Sequence, residues 1–175
     1  MTRREFAGGA LALTADTKGT WVRLRDLPER RIFELATAIG GRIFVITSGE
    51  DGKRGTEVHV YDPASDGWTA RAWANTVRHS FGAGSADGRI HIWGGVADGR
   101  VIAGAEVYDP VSDRWSVAAS MPRPRMFAKG AGAGGLLYAA GGIVPPGRRQ
   151  MLWLDVYDPR RDRWSALRSP KTATI

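Results

Sequence analysis

The chain has three histidines, His59, His79 and His91, and no cysteine, which leaves few routes to a metal centre and none to a thiol nucleophile. The histidines fall at different positions of the repeat described below and imply no shared ligand cluster. Ser80 follows His79 directly, a spacing that does not make a nucleophile and base pair, and no Gly-x-Ser-x-Gly elbow occurs. Gly130 to Gly135 matches Gly-x-Gly-x-x-Gly, with Asp155 twenty residues further on. The run leads into Leu136-Leu137-Tyr138, a strand pattern, whereas a dinucleotide site needs a helix N-terminus there. No catalytic residue, metal or cofactor is expected. Arg31, Arg78 and Arg125 recur at a spacing of 47. Guanidiniums repeated in this way, with His79 beside the second, could fork onto carboxylates if they shared one surface. The same register also fits an arginine bonded within the scaffold, with Glu106 and Asp155 as its acidic partners and His59 breaking that acidic series.

That spacing belongs to a repeat running through the chain. Tyr-Asp-Pro occurs at Tyr61, Tyr108 and Tyr157, separated by 47 and 49 residues, each followed at an offset of seven by Trp68, Trp115 and Trp164. Trp21 lies 47 residues before Trp68, and Gly41, Gly88 and Gly135 follow the arginines by ten. Each of these glycines precedes an apolar run ending in a small pair: Thr47-Ser48, Gly94-Gly95 and Gly141-Gly142.

Each unit reads as four short strands, because its Val, Ile, Phe and Tyr runs are bounded by Gly, Pro and Asp. In the middle unit these are 80–85, 90–93, 105–108 and 115–118. Asp87-Gly88 suits a tight hairpin, and glycine accepts positive φ at no steric cost. In Tyr-Asp-Pro the aspartate caps backbone amides and the proline fixes φ, turning the chain into the tryptophan strand. The longer segments 47–55, 96–104 and 143–150 vary while the scaffold repeats, which is where specificity is usually written.

The order Arg, Asp-Gly, Ile-His-Ile-Trp-Gly-Gly, Glu-Val-Tyr-Asp-Pro, Trp resembles the kelch repeat, from residue 21 to about 170. The resemblance implies an all-β kelch propeller with one four-stranded blade per unit, over 31–75, 78–122 and 125–170 within a domain spanning 20–171. It also implies that Tyr61, Tyr108, Tyr157, Trp21, Trp68, Trp115, Trp164, Gly94, Gly95, Gly141 and Gly142 are structural, and that Arg31, Arg78, His79 and Arg125 lie around the channel mouth as ligand-binding residues. Trp21 to Leu27 resembles the strand that closes a kelch ring. Three units and that strand are fewer than the four to eight blades of ordinary rings. The chain therefore reads as the amino-terminal part of a larger propeller, or as one that self-associates to complete a ring. Galactose oxidase is a kelch-type relative, but its copper centre uses a tyrosine joined to a cysteine, which this chain lacks. An exported sialic acid mutarotase resembles the chain in its blades and gives the alternative of a sugar-modifying epimerase.

The net charge of +7 comes from 21 Arg and 4 Lys against 18 acidic residues. The arginines are spread thinly, so a nucleic-acid partner is not expected. Residues 1–15 carry Thr2-Arg3-Arg4-Glu5-Phe6 and then an uncharged stretch too short to cross a bilayer. This resembles a twin-arginine export signal and implies a periplasmic or secreted protein with no stable membrane insertion. The function expected is non-catalytic recognition of a protein, peptide or carbohydrate, of acidic character.

Overall fold

The computed structural model describes residues 21–28, 32–48, 55–145 and 149–167. Arg31, the 1–15 segment and part of two long loops lie outside the described residues. The first sheet contains β1 (Ile32–Ile39), β2 (Arg42–Ser48), β3 (Glu57–Asp62) and β4 (Gly67–Ala70) in sequential antiparallel order. The second contains β5 (Gly82–Ala86), β6 (Arg89–Trp93), β9 (Ala105–Asp109) and β10 (Arg114–Ala118). A two-residue hairpin, β7 (Val96–Ala97) and β8 (Arg100–Val101), lies inside the long loop of this blade. The third sheet contains β11 (Lys129–Ala133), β12 (Leu136–Ala140), β15 (Leu154–Asp158) and β16 (Arg163–Ala166), with β13 (Ile143–Val144) and β14 (Arg149–Gln150) as its small hairpin. These are the three blades expected from the repeat, and the two small hairpins lie within segments expected as loops.

The apolar core lies in the seams between blades. Alternate side chains of a strand point to opposite faces. Ile90 and Ile92 of β6 therefore join Phe44, Ile46, Val58, Val60 and Tyr108 against blade 1. Trp93, from the same strand, joins Leu137, Tyr157 and Trp164 against blade 3. The inner strands approach closely because they carry glycine. A Cβ added at Gly130 would sit 2.0 Å from the Ala83 carbonyl oxygen and 2.4 Å from Trp93 Cζ2. Gly95, at φ 89°, turns the chain out of β6, where a Cβ would lie 2.6 Å from the His79 carbonyl oxygen. Blade 1 has Ser48 at that position, and β2 runs through Thr47 and Ser48 as strand.

The seams are fastened by the Tyr-Asp-Pro turn and the tryptophan after it. Asp62, Asp109 and Asp158 accept the amides of Ala64, Val111 and Arg160, forming the expected cap. A second aspartate in each turn makes a longer-range contact. Asp113 Oδ1 accepts the Tyr108 hydroxyl at 2.8 Å and the Ala72 amide at 3.0 Å, while Trp115 Nε1 donates to the Ala72 carbonyl at 2.8 Å. Both polar groups of one residue in the linker leaving blade 1 are thus held by blade 2. Asp162, Tyr157 and Trp164 hold Ala119 in the same way, and Asp66, Tyr61 and Trp68 hold Arg25. Asp66, Asp113 and Asp162 have φ of 48°, 53° and 46°, a conformation aspartate accepts more readily than most residues.

The clamp on Arg25 places residues 21–27 where the end of a preceding blade would lie. Expected as a closing strand, this segment has no ladder partner among the described residues, and Trp21 is fully exposed. Removing one clamp leaves a buried hydroxyl and an amide without an acceptor. Asp113→Ala should therefore lower stability by about 1–3 kcal/mol, whereas Val111→Thr, at a fully exposed turn position, should change it little. Urea unfolding of the two variants checks this.

Candidate functional site

The arginine register enters each blade at its inner strand, on the side that carries the long loops. Arg78 is buried: Nη1 donates to the carbonyls of Gly104 at 2.7 Å and Gly94 at 3.2 Å, and Nη2 donates to Glu106 Oε1 at 2.6 Å. Glu106 also accepts the amides of Asn75 and Thr76. Burial pushes the Arg78 pKa down and Glu106 opposes it, but a guanidinium remains a cation throughout the accessible pH range. Arg125 is equally buried, with Nη1 2.7 Å from Asp155 Oδ2 and Nη2 donating to the Ala139 carbonyl.

The expected ring of ligand-facing guanidiniums is therefore corrected for Arg78 and Arg125. Both cations are enclosed and bonded within their own blades, so they cannot fork onto an external carboxylate. Each ties the inner strand's entrance to the third strand of its blade. In blade 1, His59 occupies the acidic register, and Glu57, two residues earlier on the same face of β3, supplies the carboxylate; His59 Nε2 and Glu57 Oε2 are 3.0 Å apart. The expected Glu106 and Asp155 partners are in place.

What remains open on this side is a different set of residues. His79 is half-buried, with Nδ1 3.0 Å from Ser80 Oγ and its backbone paired with Val96. Ser80 and Phe127, equivalent residues of blades 2 and 3, have φ of 55° and 58°. Phe127 N donates to the Ser80 carbonyl at 2.7 Å, joining the two inner entrances. A phenylalanine in the left-handed region is uncommon and strained by about 1–2 kcal/mol, and this one is 46% exposed. Nearby in sequence, the Arg123 guanidinium lies 3.8 Å from the Trp153 ring centroid and donates to Asp155 Oδ1 at 2.9 Å. Its side chain is 35% exposed. Arg123, Phe127 and Trp153 were missed by sequence reasoning because they depart from the 47-residue pattern instead of repeating it.

Gly130 to Gly135 forms β11 and its turn into β12, which leaves no helix N-terminus for a dinucleotide. His91 points into the seam between blades 2 and 3, is 5% exposed, and has neither ring nitrogen hydrogen-bonded among the described residues. Burial, reinforced by Arg89, pushes its pKa down to about 4.

The described residues 78–122 match the family model of the Kelch motif. No curated protein matches the chain by sequence. Among solved structures, the structure of YjhT is similar, with a TM-score of 0.73 and 17% identity. The match covers 89% of this chain and 57% of that one, so this chain spans a little over half of its length. The fold is that of a kelch β-propeller, present here as three complete blades.

Two outcomes follow from the buried charges. Arg78→Ala strands Glu106 in the interior and should cost about 3–5 kcal/mol. Arg123→Ala leaves Asp155 paired with Arg125 and should cost about 1 kcal/mol or less; chemical denaturation distinguishes the two. His91 has a folded pKa below its unfolded value near 6.5, so the unfolded chain takes up the proton first as pH falls. Its contribution is complete above about pH 6.5 and is lost toward pH 4. Asp109, Asp113, Asp158 and Asp162 are held below the usual carboxylate range and act only in stronger acid. The melting temperature should fall between about pH 6.5 and 4.5, and His91→Phe should flatten that slope.

Proposed function

We propose that this chain is a non-catalytic recognition module that takes an acidic peptide or an acidic carbohydrate on its loop-bearing side. The observation that carries the reading is the contrast between two kinds of arginine. Arg78 and Arg125 are enclosed within the scaffold, whereas Arg123 is partly exposed, stacked on Trp153, and gives Nη2 alone to Asp155. A stacked and partly exposed guanidinium suits a carboxylate, and an adjoining indole suits a sugar or peptide face. Phe127, four residues on in the same blade and held in a strained conformation, is a further exposed apolar group.

The Thr2-Arg3-Arg4-Glu5-Phe6 pattern supports export to the periplasm or beyond. The partial coverage of the YjhT structure and the lone segment 21–27 support a larger ring, completed either by further blades or by a second copy. Titration calorimetry with a Glu-rich peptide and with a sialylated oligosaccharide tests the recognition reading. Arg123→Ala should weaken binding of one of them by about tenfold or more, with the melting temperature nearly unchanged. Equal affinity in wild type and variant contradicts it. Conversion of sugar anomers followed by NMR would favour the epimerase reading instead.

A further inference from the structure

At the outer end of the seam between blades 2 and 3 lies a cleft of about 250 Å³. Its walls include Asp87, Arg89 and His91 from blade 2 and Tyr157, Arg160 and Asp162 from blade 3. It is built from different residues than the loop-bearing side, so it stands or falls independently of the recognition reading.

The repeat supplies an internal control. At the seam between blades 1 and 2 the residues equivalent to Asp87, His91 and Arg160 are Gly40, Phe44 and Val111. Phe44 is buried there in one apolar cluster with Tyr108. In the second seam His91 stands in Phe44's place, its ring centroid 5.5 Å from that of Tyr157. All three differences replace an apolar or absent side chain with a polar one, and all three line one cleft. A buried imidazole with both nitrogens unmet costs free energy that phenylalanine would not. The scaffold accepts phenylalanine at this position, so stability does not account for histidine.

The chemistry of the lining narrows the ligand. Two guanidiniums face two carboxylates, and Arg160 Nε lies 3.6 Å from Asp87 Oδ2 across the seam. The cleft is therefore close to neutral and gives no net attraction to phosphate or another anion. His91, uncharged at neutral pH, offers one donor and one acceptor, the complement of a hydroxyl group. Tyr157 presents ring surface beside it, while its own hydroxyl is already given to Asp162. The volume is below the ~300–1,000 Å³ of sites for drug-sized ligands.

We infer that this cleft is a binding site for a neutral, monosaccharide-sized polyol, with His91 hydrogen-bonding a ligand hydroxyl and Asp87 and Arg160 closing over it from opposite blades. The test titrates the full chain with D-glucose, D-galactose, D-mannose and N-acetylglucosamine, and separately with inorganic phosphate and glycine, while following the His91 ring signals by NMR. Saturable shifts of those signals by at least one of the four sugars are expected. His91→Phe and Arg160→Val, each copying the first seam, should weaken that binding by about tenfold or more. Arg160 is on the surface, so its variant reads the site even if His91→Phe repacks the seam. The inference is overturned if none of the sugars saturates the site, if both variants bind as wild type does, or if phosphate or glycine shifts His91 and the sugars do not.

Discussion

The blade-to-blade clamp is the interaction on which the rest of this structure depends. A four-stranded sheet of this size has two apolar faces and cannot bury both by itself. Burial requires a neighbouring blade, and the hydrophobic effect gives contact without fixing register. Register comes from one aspartate and one indole in each turn, which hold the amide and carbonyl of a single residue in the preceding linker. Because the tyrosine that donates to the same aspartate is itself in the seam core, the polar clamp and the apolar packing form together. Every feature discussed above, from the inner entrances to the outer cleft, is placed by the resulting angle between blades.

Charge is used in two ways. Inside a blade, Arg78 with Glu106 and Arg125 with Asp155 bridge strand ends that have no ladder bonds to join them; the first pair is also bonded to main-chain carbonyls and amides, and Arg125 to the Ala139 carbonyl. Such pairs contribute specificity of geometry more than net stability. At the surface, Arg23, Arg42, Arg89 and Arg161 pair with aspartates. These are worth little individually.

The fold was legible because the repeat is an arithmetic property of the sequence: tyrosine, tryptophan, arginine and glycine recur at one spacing, and each recurrence has a strand or turn to explain it. The arginine register was legible as a position but not as a role, since a repeated guanidinium serves a channel surface and an internal brace equally well until its burial is known. The second aspartate of each turn was visible at a constant offset of five after the tyrosine, yet its partner lies some forty residues away in the previous linker. The exceptional residues were hardest to read. His91, Arg123, Phe127 and Trp153 break the pattern, and only the packing of two blades shows which departures meet at one place.

Amide hydrogen exchange at Ala72 and Ala119 tests the clamp most directly. Both linker amides sit outside ladders, so protection must come from the aspartates of the next blade. The account predicts that both exchange as slowly as strand amides in the wild type, and that Asp162→Ala releases Ala119 while leaving Ala72 protected. Rapid exchange of both amides in the wild type, or loss of protection across the whole chain in the variant, would contradict a seam held by separate local clamps.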